Sequence, residues 1–374
     1  MKSQIIKINS ESEIGEAIEI ASEALNNGQL VAFPTETVYG IGARADIPVA
    51  INELYRVKQR PNDKPFTLHI GKLSDVDIYV PDISAVHKNL LKKAWPGPLT
   101  AIFELNSTQL EQIRAKFDPE LIKNLYYGNT IGLRLPSDKV ARELLKAADG
   151  PVSASSANPA GRPNPCDGSA VIEQLDGQFE ILLDSGPTKI RKASTIIKLK
   201  GDDLEIIRPG IIDERMLNVM KTINILIVCT GNTCRSPMAQ GIFATKIAEK
   251  LGCGIDQLTN KGYKLISAGV MAWPDCPATP EAVQACAQMD VDICSHRATV
   301  LTPELINKAD YIFALANSHA RSIIEFAPEA SDKVSLLGND SIADPIGGTA
   351  ECYQACANEI AQAIDMQLQN KKLI

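Results

Sequence analysis

Ile223-Asn224-Ile225-Leu226-Ile227-Val228-Cys229-Thr230-Gly231-Asn232-Thr233-Cys234-Arg235-Ser236-Pro237 decides the fold of the second half of this chain. The near-continuous apolar run 223–228 predicts a strand buried on both faces, at the centre of a parallel sheet. From Cys229 the chain turns into a helix running on from Met238-Ala239-Gln240. Pro237 falls in the first helical turn, where its missing N–H costs little. Such a strand-loop-helix turn aims consecutive backbone N–H groups and a helix N-terminus at one point. Those donors favour the thiolate of Cys229, the nucleophilic form. Arg235 is placed to fold back and hold two phosphoryl oxygens in fork geometry, and Ser236 to donate a hydrogen bond to the sulfur. A leaving group also needs a proton. Asp344, in Ser341-Ile342-Ala343-Asp344-Pro345-Ile346-Gly347-Gly348, is the candidate acid, on a loop stiffened by Pro345. A cysteine and an arginine at this spacing also occur by chance. The strand before them, the Ser-Pro after them and the distant Asp-Pro set this pair apart.

Over nearly all of 223–374 the sequence resembles the low-molecular-weight protein-tyrosine-phosphatase family. The Cys229–Arg235–Ser236 spacing, the Ser267-Ala268-Gly269 turn and the late Asp344-Pro345 carry the resemblance. It implies Cys229 as nucleophile, Arg235 as phosphate binder and Asp344 as acid and then base. Asn232 would hold the loop's shape and Ser236 would tune the thiolate, with Thr230, Gly231, Thr233 and Cys234 completing the loop. Thr233 stands where the tyrosine phosphatases usually carry an aliphatic residue. With Ala278-Thr279-Pro280 and Asp344–Gly348 it looks like the bacterial protein-arginine-phosphatase branch, and phosphotyrosine is the alternative substrate. Cys234 is expected to reach Cys229 in a reversible disulfide that protects the nucleophile. Cys253, Cys276, Cys286, Cys294, Cys352 and Cys356 read as small apolar packing residues. Thioredoxin-coupled arsenate reductases use the same fold but need two further redox cysteines. Residues 316–330, where they would fall, hold none.

Upstream of this unit the chain is long enough for a second domain, since 374 residues exceed one ordinary core. Ile14, Ala17, Ile18, Ala21 and Leu25 recur at helical spacing and Gly28 stops them. Strands are expected at 30–33, 67–70, 100–105, 130–135, 152–155, 181–183 and 195–199, with Pro209-Gly210 closing the block. In the second half, strands are expected at 263–267, 311–315 and 334–336, and helices at 280–289 and from about Ala350. The expected layout is a domain at 1–212, a helical linker at 213–221 and a domain at 222–374. The fold class is α/β: a twisted-sheet domain followed by a doubly wound domain with a central parallel sheet and a phosphate-binding loop.

Pro34-Thr35-Glu36-Thr37-Val38-Tyr39-Gly40-Ile41-Gly42 follows the first of these strands and places glycines and hydroxyls at its end. Lys58-Gln59-Arg60-Pro61-Asn62-Asp63-Lys64-Pro65 is a basic segment in an acidic protein, held extended by its prolines and suited to polyphosphate. Taken alone it reads as a solvated turn. Trp95-Pro96-Gly97-Pro98-Leu99-Thr100, Thr130-Ile131-Gly132-Leu133-Arg134-Leu135-Pro136, Ser153-Ala154-Ser155-Ser156-Ala157-Asn158, Ala193-Ser194-Thr195 and Arg208-Pro209-Gly210 change that reading. Together these runs resemble the short form of the threonylcarbamoyl-AMP synthase family over 10–212.

The resemblance implies condensation of L-threonine, bicarbonate and ATP, with release of pyrophosphate. Partner proteins would then pass the threonylcarbamoyl group to tRNA. Thr35, His69, Arg134, Ala154 and Ser194 would surround threonine. Arg60, Lys64, Thr130, Ser156, Asn164 and Arg208 would surround ATP, with Lys58 nearby. No tightly bound cofactor and no protein-held metal are expected; ATP enters as a substrate with Mg2+. No residue here reads as a covalent nucleophile, so catalysis would be positioning and charge stabilisation. A non-catalytic RNA- or nucleotide-binding module is the alternative for this half. Carbamoyl transfer in hydrogenase maturation needs zinc-finger cysteines, and Cys166 is alone before Cys229.

A net charge of −7 argues against stable bulk binding to nucleic acid, which needs a basic face. No apolar run approaches the ~20 residues of a membrane helix, and the polar start Met1-Lys2-Ser3-Gln4 does not read as a signal peptide. A cytoplasmic enzyme acting on small molecules and on phosphorylated proteins is the expectation.

Overall fold

The structure is a computed structural model and describes residues 2–61 and 65–374. The chain divides into two compact units, one ending at Val219 and the other spanning Met220–Ile374. The stretch expected to link them is largely the helix Glu214–Lys221.

The first unit is built on one mixed sheet. Its strands are β1 (Gln4–Lys7), β2 (Val31–Phe33), β3 (Gly40–Arg44), β4 (Thr67–His69), β5 (Leu99–Glu104), β6 (Tyr126–Tyr127), β7 (Thr130–Arg134), β8 (Val152–Ser156), β9 (Ile181–Asp184), β10 (Thr195–Lys200) and β11 (Asp203–Arg208). Across the sheet they run β1-β9-β2-β3-β8-β4-β7-β5-β10-β11, with β6 beside β7. The pairs β1/β9, β2/β9, β4/β7 and β5/β10 are parallel and the others antiparallel. Helices Ile14–Asn26 and Lys139–Ala147 pack together over a core that holds Leu25, Phe33, Leu144 and Leu183. Successive side chains on a strand alternate between faces. On β7, Ile131 and Leu133 are therefore buried, while Thr130, Gly132 and Arg134 line an open cleft.

Strands β1, β3, β6 and β11 lie outside the expected set. β3 reads as a glycine-rich turn, Gly40-Ile41-Gly42. A Cβ on Gly42 would lie 3.0 Å from the Phe33 ring, so glycine is what lets β3 sit on β2. β1, β6 and β11 are short or mostly exposed, and their pairing partners rather than their own apolar pattern make them strands.

The second unit has β12 (Ile223–Cys229), β13 (Tyr263–Gly269), β14 (Tyr311–Ala314) and β15 (Val334–Leu336), ordered β13-β12-β14-β15 and all parallel. Leu226 and Val228 of β12 pack with Ile306, Ile312 and Ile323. Phe313 of β14 meets Phe243 of the helix Arg235–Leu251, ring centroids 5.7 Å apart. The C-terminal helix Ala350–Asn370 packs on that helix. This is the expected doubly wound unit, α/β like the first. In such sheets ligands bind outside the carboxyl ends of the strands.

Candidate functional sites

In the first unit, β3, β4, β5, β7, β8 and β10 line a cleft of about 390 Å³. Of the residues read from the sequence, Thr35, Arg60, His69, Thr130, Arg134, Ala154, Ser156, Asn164, Ser194 and Arg208 all line it. Lys64 lies outside the described residues. Lys58 does not line the cleft. It is the last residue of the helix Pro48–Lys58 rather than part of an extended segment, and its buried ammonium donates to the carbonyls of Ser156 and Asn158. Burial, with the Arg60 charge nearby, pushes it down to about 8. In this arrangement it ties the helix to the wall that carries Ser156.

Arg134 is the buried cation of the cleft. Its Nη2 donates to Glu36 Oε1 at 2.8 Å and to Thr37 Oγ1 at 2.6 Å, and its Nε is buried without a partner. Glu36 is itself 4% exposed, and its Oε2 accepts from the Ser137 N–H at 2.9 Å. Burial works to raise Glu36, but the Arg134 charge and these hydrogen bonds outweigh it, so the carboxyl titrates below its ordinary value. His69 is pushed down to about 3 by burial and by Arg134, so the ring is neutral. Its Nδ1 lies 3.1 Å from the Thr67 carbonyl. Arg208 donates to the Ser194 carbonyl at 2.8 Å and to its Oγ at 3.2 Å. Gly210 permits this crossing, because a Cβ there would lie 2.3 Å from the Thr195 nitrogen. Arg60 donates to the Pro65 carbonyl and stacks over the Phe66 ring, 4.9 Å from its centroid. Trp95 is a core anchor: its indole N–H donates to the Leu99 carbonyl at 2.8 Å.

In the second unit, the loop between β12 and the helix Arg235–Leu251 wraps the Cys229 sulfur. Ser236 Oγ lies 2.9 Å from Sγ and the Asn232 N–H donates to it at 3.3 Å. Asn232 is fully buried with φ 57°, a left-handed conformation that asparagine tolerates better than most residues. Its Nδ2 donates to Ser236 Oγ at 2.8 Å and Ser267 Oγ at 2.9 Å, and its Oδ1 accepts from the Thr299 N–H at 2.7 Å. His296 Nε2 lies 2.8 Å from the Asn232 carbonyl. Arg235 donates to the Ile342 carbonyl at 3.1 Å and forms an ion pair with Asp344. The fold therefore brings Cys229, Arg235 and Asp344 together. Thr230 Oγ1 meets His319 Nε2 at 2.9 Å. Thr233 is half-buried, its carbonyl accepting from the Thr279 N–H, and Gly231 adjoins its hydroxyl. Cys234 Sγ lies 3.6 Å from both Thr279 Oγ1 and Tyr353 OH.

The Sua5/YciO/YrdC family model, described as telomere recombination, matches residues 23–210. The low molecular weight phosphotyrosine protein phosphatase model matches residues 224–372. Protein-arginine-phosphatase of Bacillus subtilis is 34% identical over 147 residues, 38% of this chain and 91% of that protein. The chain belongs to both families. Threonylcarbamoyl-AMP synthase of Pyrococcus abyssi is 34% identical to the Sua5/YciO/YrdC unit over 206 residues, 55% of this chain and 57% of that protein. The corresponding protein of Bacillus subtilis is 33% identical over 200 residues, 54% of this chain and 55% of its own length. The chain thus spans about half the length of these relatives. The structure of P. abyssi Sua5 complexed with L-threonine aligns with a TM-score of 0.51 at 21% identity, over 97% of this chain and 98% of that one, which is a likeness of fold.

Several residues of the two family sites escape sequence reading. Glu36 and Thr37 of the Sua5/YciO/YrdC unit lie inside a run that stands out in sequence, yet nothing local says that they face Arg134. His296, Thr299, His319 and Tyr353 of the phosphatase-family unit lie 60 or more residues from the loop they touch. No short-range pattern announces them. Among the described residues no helix is long and apolar enough to cross a membrane.

Proposed function

We propose that the chain is bifunctional: its first unit makes threonylcarbamoyl-AMP from L-threonine, bicarbonate and ATP, and its second is a cysteine-dependent protein phosphatase that favours phosphoarginine. The observation that supports the first activity is the convergence of Arg134, Arg208, Arg60 and the neutral His69 on one cleft. Glu36 and Thr37 hold Nη2 of Arg134, and the guanidinium so fixed at the cleft wall would pair with the carboxylate of threonine. Arg60 and Arg208 offset the charge of ATP, which enters as a substrate with Mg2+ on its phosphates. The hydroxyls of Thr130 and Ser156 and the Asn164 amide complete the nucleotide side. The unit supplies position and charge, and pyrophosphate leaves. Its product would go to partner proteins that modify tRNA.

The observation that supports the second activity is the loop around Cys229, with Arg235 and Asp344 in contact. A phosphoryl group arriving over Cys229 competes with Asp344 for the Arg235 guanidinium. Its binding would free the Asp344 carboxylate to take up a proton from solvent and pass it to the leaving nitrogen as sulfur attacks phosphorus. Asp344 would then take a proton from the water that cleaves the phospho-cysteine. Thr233 favours phosphoarginine, because its hydroxyl adds a donor and an acceptor at the pocket wall.

Two assays on the full chain test these readings. Pyrophosphate release should require both threonine and bicarbonate; release without them, or none at all, refutes the first. The kcat/KM for phosphoarginine should exceed that for phosphotyrosine, and Thr233→Ile should shift the ratio toward phosphotyrosine by about tenfold, ~1.4 kcal/mol. An unchanged ratio removes Thr233 from specificity, and a wild-type preference for phosphotyrosine favours the alternative.

A further inference from the structure

The phosphatase reading leaves His319, a buried titratable side chain at the site, without a task. His319 is 3% exposed, in the first turn of the helix Asn317–Phe326, which follows β14. It comes from the next strand-helix turn beside the one that carries Cys229. Its Nε2 meets Thr230 Oγ1 at 2.9 Å, and its Nδ1 is buried without a hydrogen-bond partner. Leaving a buried polar atom unpaired costs about 1–3 kcal/mol, so an apolar residue would be the cheaper filler unless the other nitrogen does something useful. The charged groups that act on the ring are Arg235 and Asp344. Burial and Arg235 push it down to about 4, against the opposite pull of Asp344, so it is neutral near pH 7. A neutral imidazole can sit beside Arg235 without repelling it or competing with it for Asp344.

The same turn is tied to the loop that carries the acid. The Asn317 N–H donates to Ser341 Oγ at 2.9 Å, and the Ile342 N–H donates to the Leu315 carbonyl at 2.8 Å. The Ile342 carbonyl in turn accepts from Arg235. Thr230 is otherwise an exposed residue, directly after the nucleophile, in a loop whose function depends on where its N–H groups point.

We propose that His319 is a positioning residue of the phosphatase site: its imidazole anchors Thr230 and so holds the first turn of the loop around Cys229 in its oxyanion-binding shape. The inference rests on the phosphatase reading above. Its chemistry is one hydrogen bond from a rigid ring to a hydroxyl. Any side chain of similar reach with a polar end should replace it in part, and removing the hydroxyl should be equivalent to removing the ring.

The test uses the full chain with His319→Ala, His319→Gln, Thr230→Val and the His319→Ala/Thr230→Val double variant. Inorganic phosphate is the binding probe, followed by 31P line broadening, and p-nitrophenyl phosphate is the turnover probe. His319→Ala and Thr230→Val should each weaken phosphate binding and lower kcat/KM by about tenfold. The double variant should be no worse than either single one, and His319→Gln should recover most of the loss. Thr230→Val alters an exposed side chain, so it reports on the anchor even if His319→Ala folds poorly. Unchanged phosphate affinity in Thr230→Val overturns the proposal, as do losses that multiply in the double variant. A wild-type chain that neither binds phosphate nor turns over refutes the phosphatase reading itself; normal wild-type activity with silent variants refutes only His319.

Discussion

Asn232→Ala should remove about 4 kcal/mol from the stability of the second unit. Three side-chain hydrogen bonds disappear, to Ser236 Oγ at 2.8 Å, to Ser267 Oγ at 2.9 Å and from the Thr299 N–H at 2.7 Å. The site is fully buried, so water cannot restore them. At about 1 kcal/mol each they account for ~3 kcal/mol. Alanine must also adopt φ near 57°, which adds about 1 kcal/mol. Against the 5–15 kcal/mol typical of a domain this is a large fraction. Asn232→Asp separates stability from catalysis. It keeps the Oδ1 acceptor for Thr299 and the tolerance of left-handed backbone but loses both donors. It should cost about 2 kcal/mol, while placing a carboxylate on Ser236, the hydroxyl that touches the Cys229 sulfur, and depressing kcat/KM well beyond what stability explains. Urea unfolding, followed by hydrogen-exchange mass spectrometry on peptides of the second unit, reads the stability. A loss under about 1 kcal/mol for Asn232→Ala would mean the network is ornamental and the loop's shape is held elsewhere.

Cys229→Ser should abolish phosphatase turnover and spare pyrophosphate release. Arg60→Ala should do the reverse, lowering kcat/KM for ATP by about tenfold or more; loss of both activities in either folded variant would overturn the separation. Mild oxidant should inactivate the phosphatase reversibly through a Cys229–Cys234 disulfide, and mass spectrometry finding sulfinic acid at Cys229 beside a free Cys234 would contradict this. Glu36 titrates in the folded chain below its ordinary value. Its contribution is therefore complete above the unfolded value of about 4.5 and is lost as pH falls through the lower folded value. Glu36→Gln should be less stable than wild type at pH 7, and the gap should narrow on acidification from roughly pH 5 to 3; a gap constant with pH would show that the Glu36–Arg134 pair carries no linked stability.

What the sequence by itself determined was the chemistry whose parts are contiguous. The loop Cys229–Arg235, the strand before it and the helix after it are one contiguous unit, closed on itself by the contacts of Ser236 and Asn232 with the Cys229 sulfur, so their order along the chain gives much of their geometry. The same holds for Thr130-Ile131-Gly132-Leu133-Arg134: strand alternation sends Thr130 and Arg134 to one face, and that face proved to be the cleft. Tertiary structure alone decided what meets those pieces. Lys58 reads as a phosphate ligand next to Arg60, but the helix it ends buries its ammonium against the carbonyls of Ser156 and Asn158, about a hundred residues on. Glu36 reads as one polar residue in a turn, and only the tertiary fold, which brings the loop after β2 to Arg134 at the end of β7, makes it the counter-ion of Arg134. β3 has the composition of a loop and becomes a strand because β2 and β8 pair with it on both sides, with glycine at 42 fitting beside the Phe33 ring. His319 has no local signature at all. A parallel sheet brings successive strand ends side by side whatever the intervening sequence, and that is why a histidine 89 residues from Thr230 comes to rest on its hydroxyl.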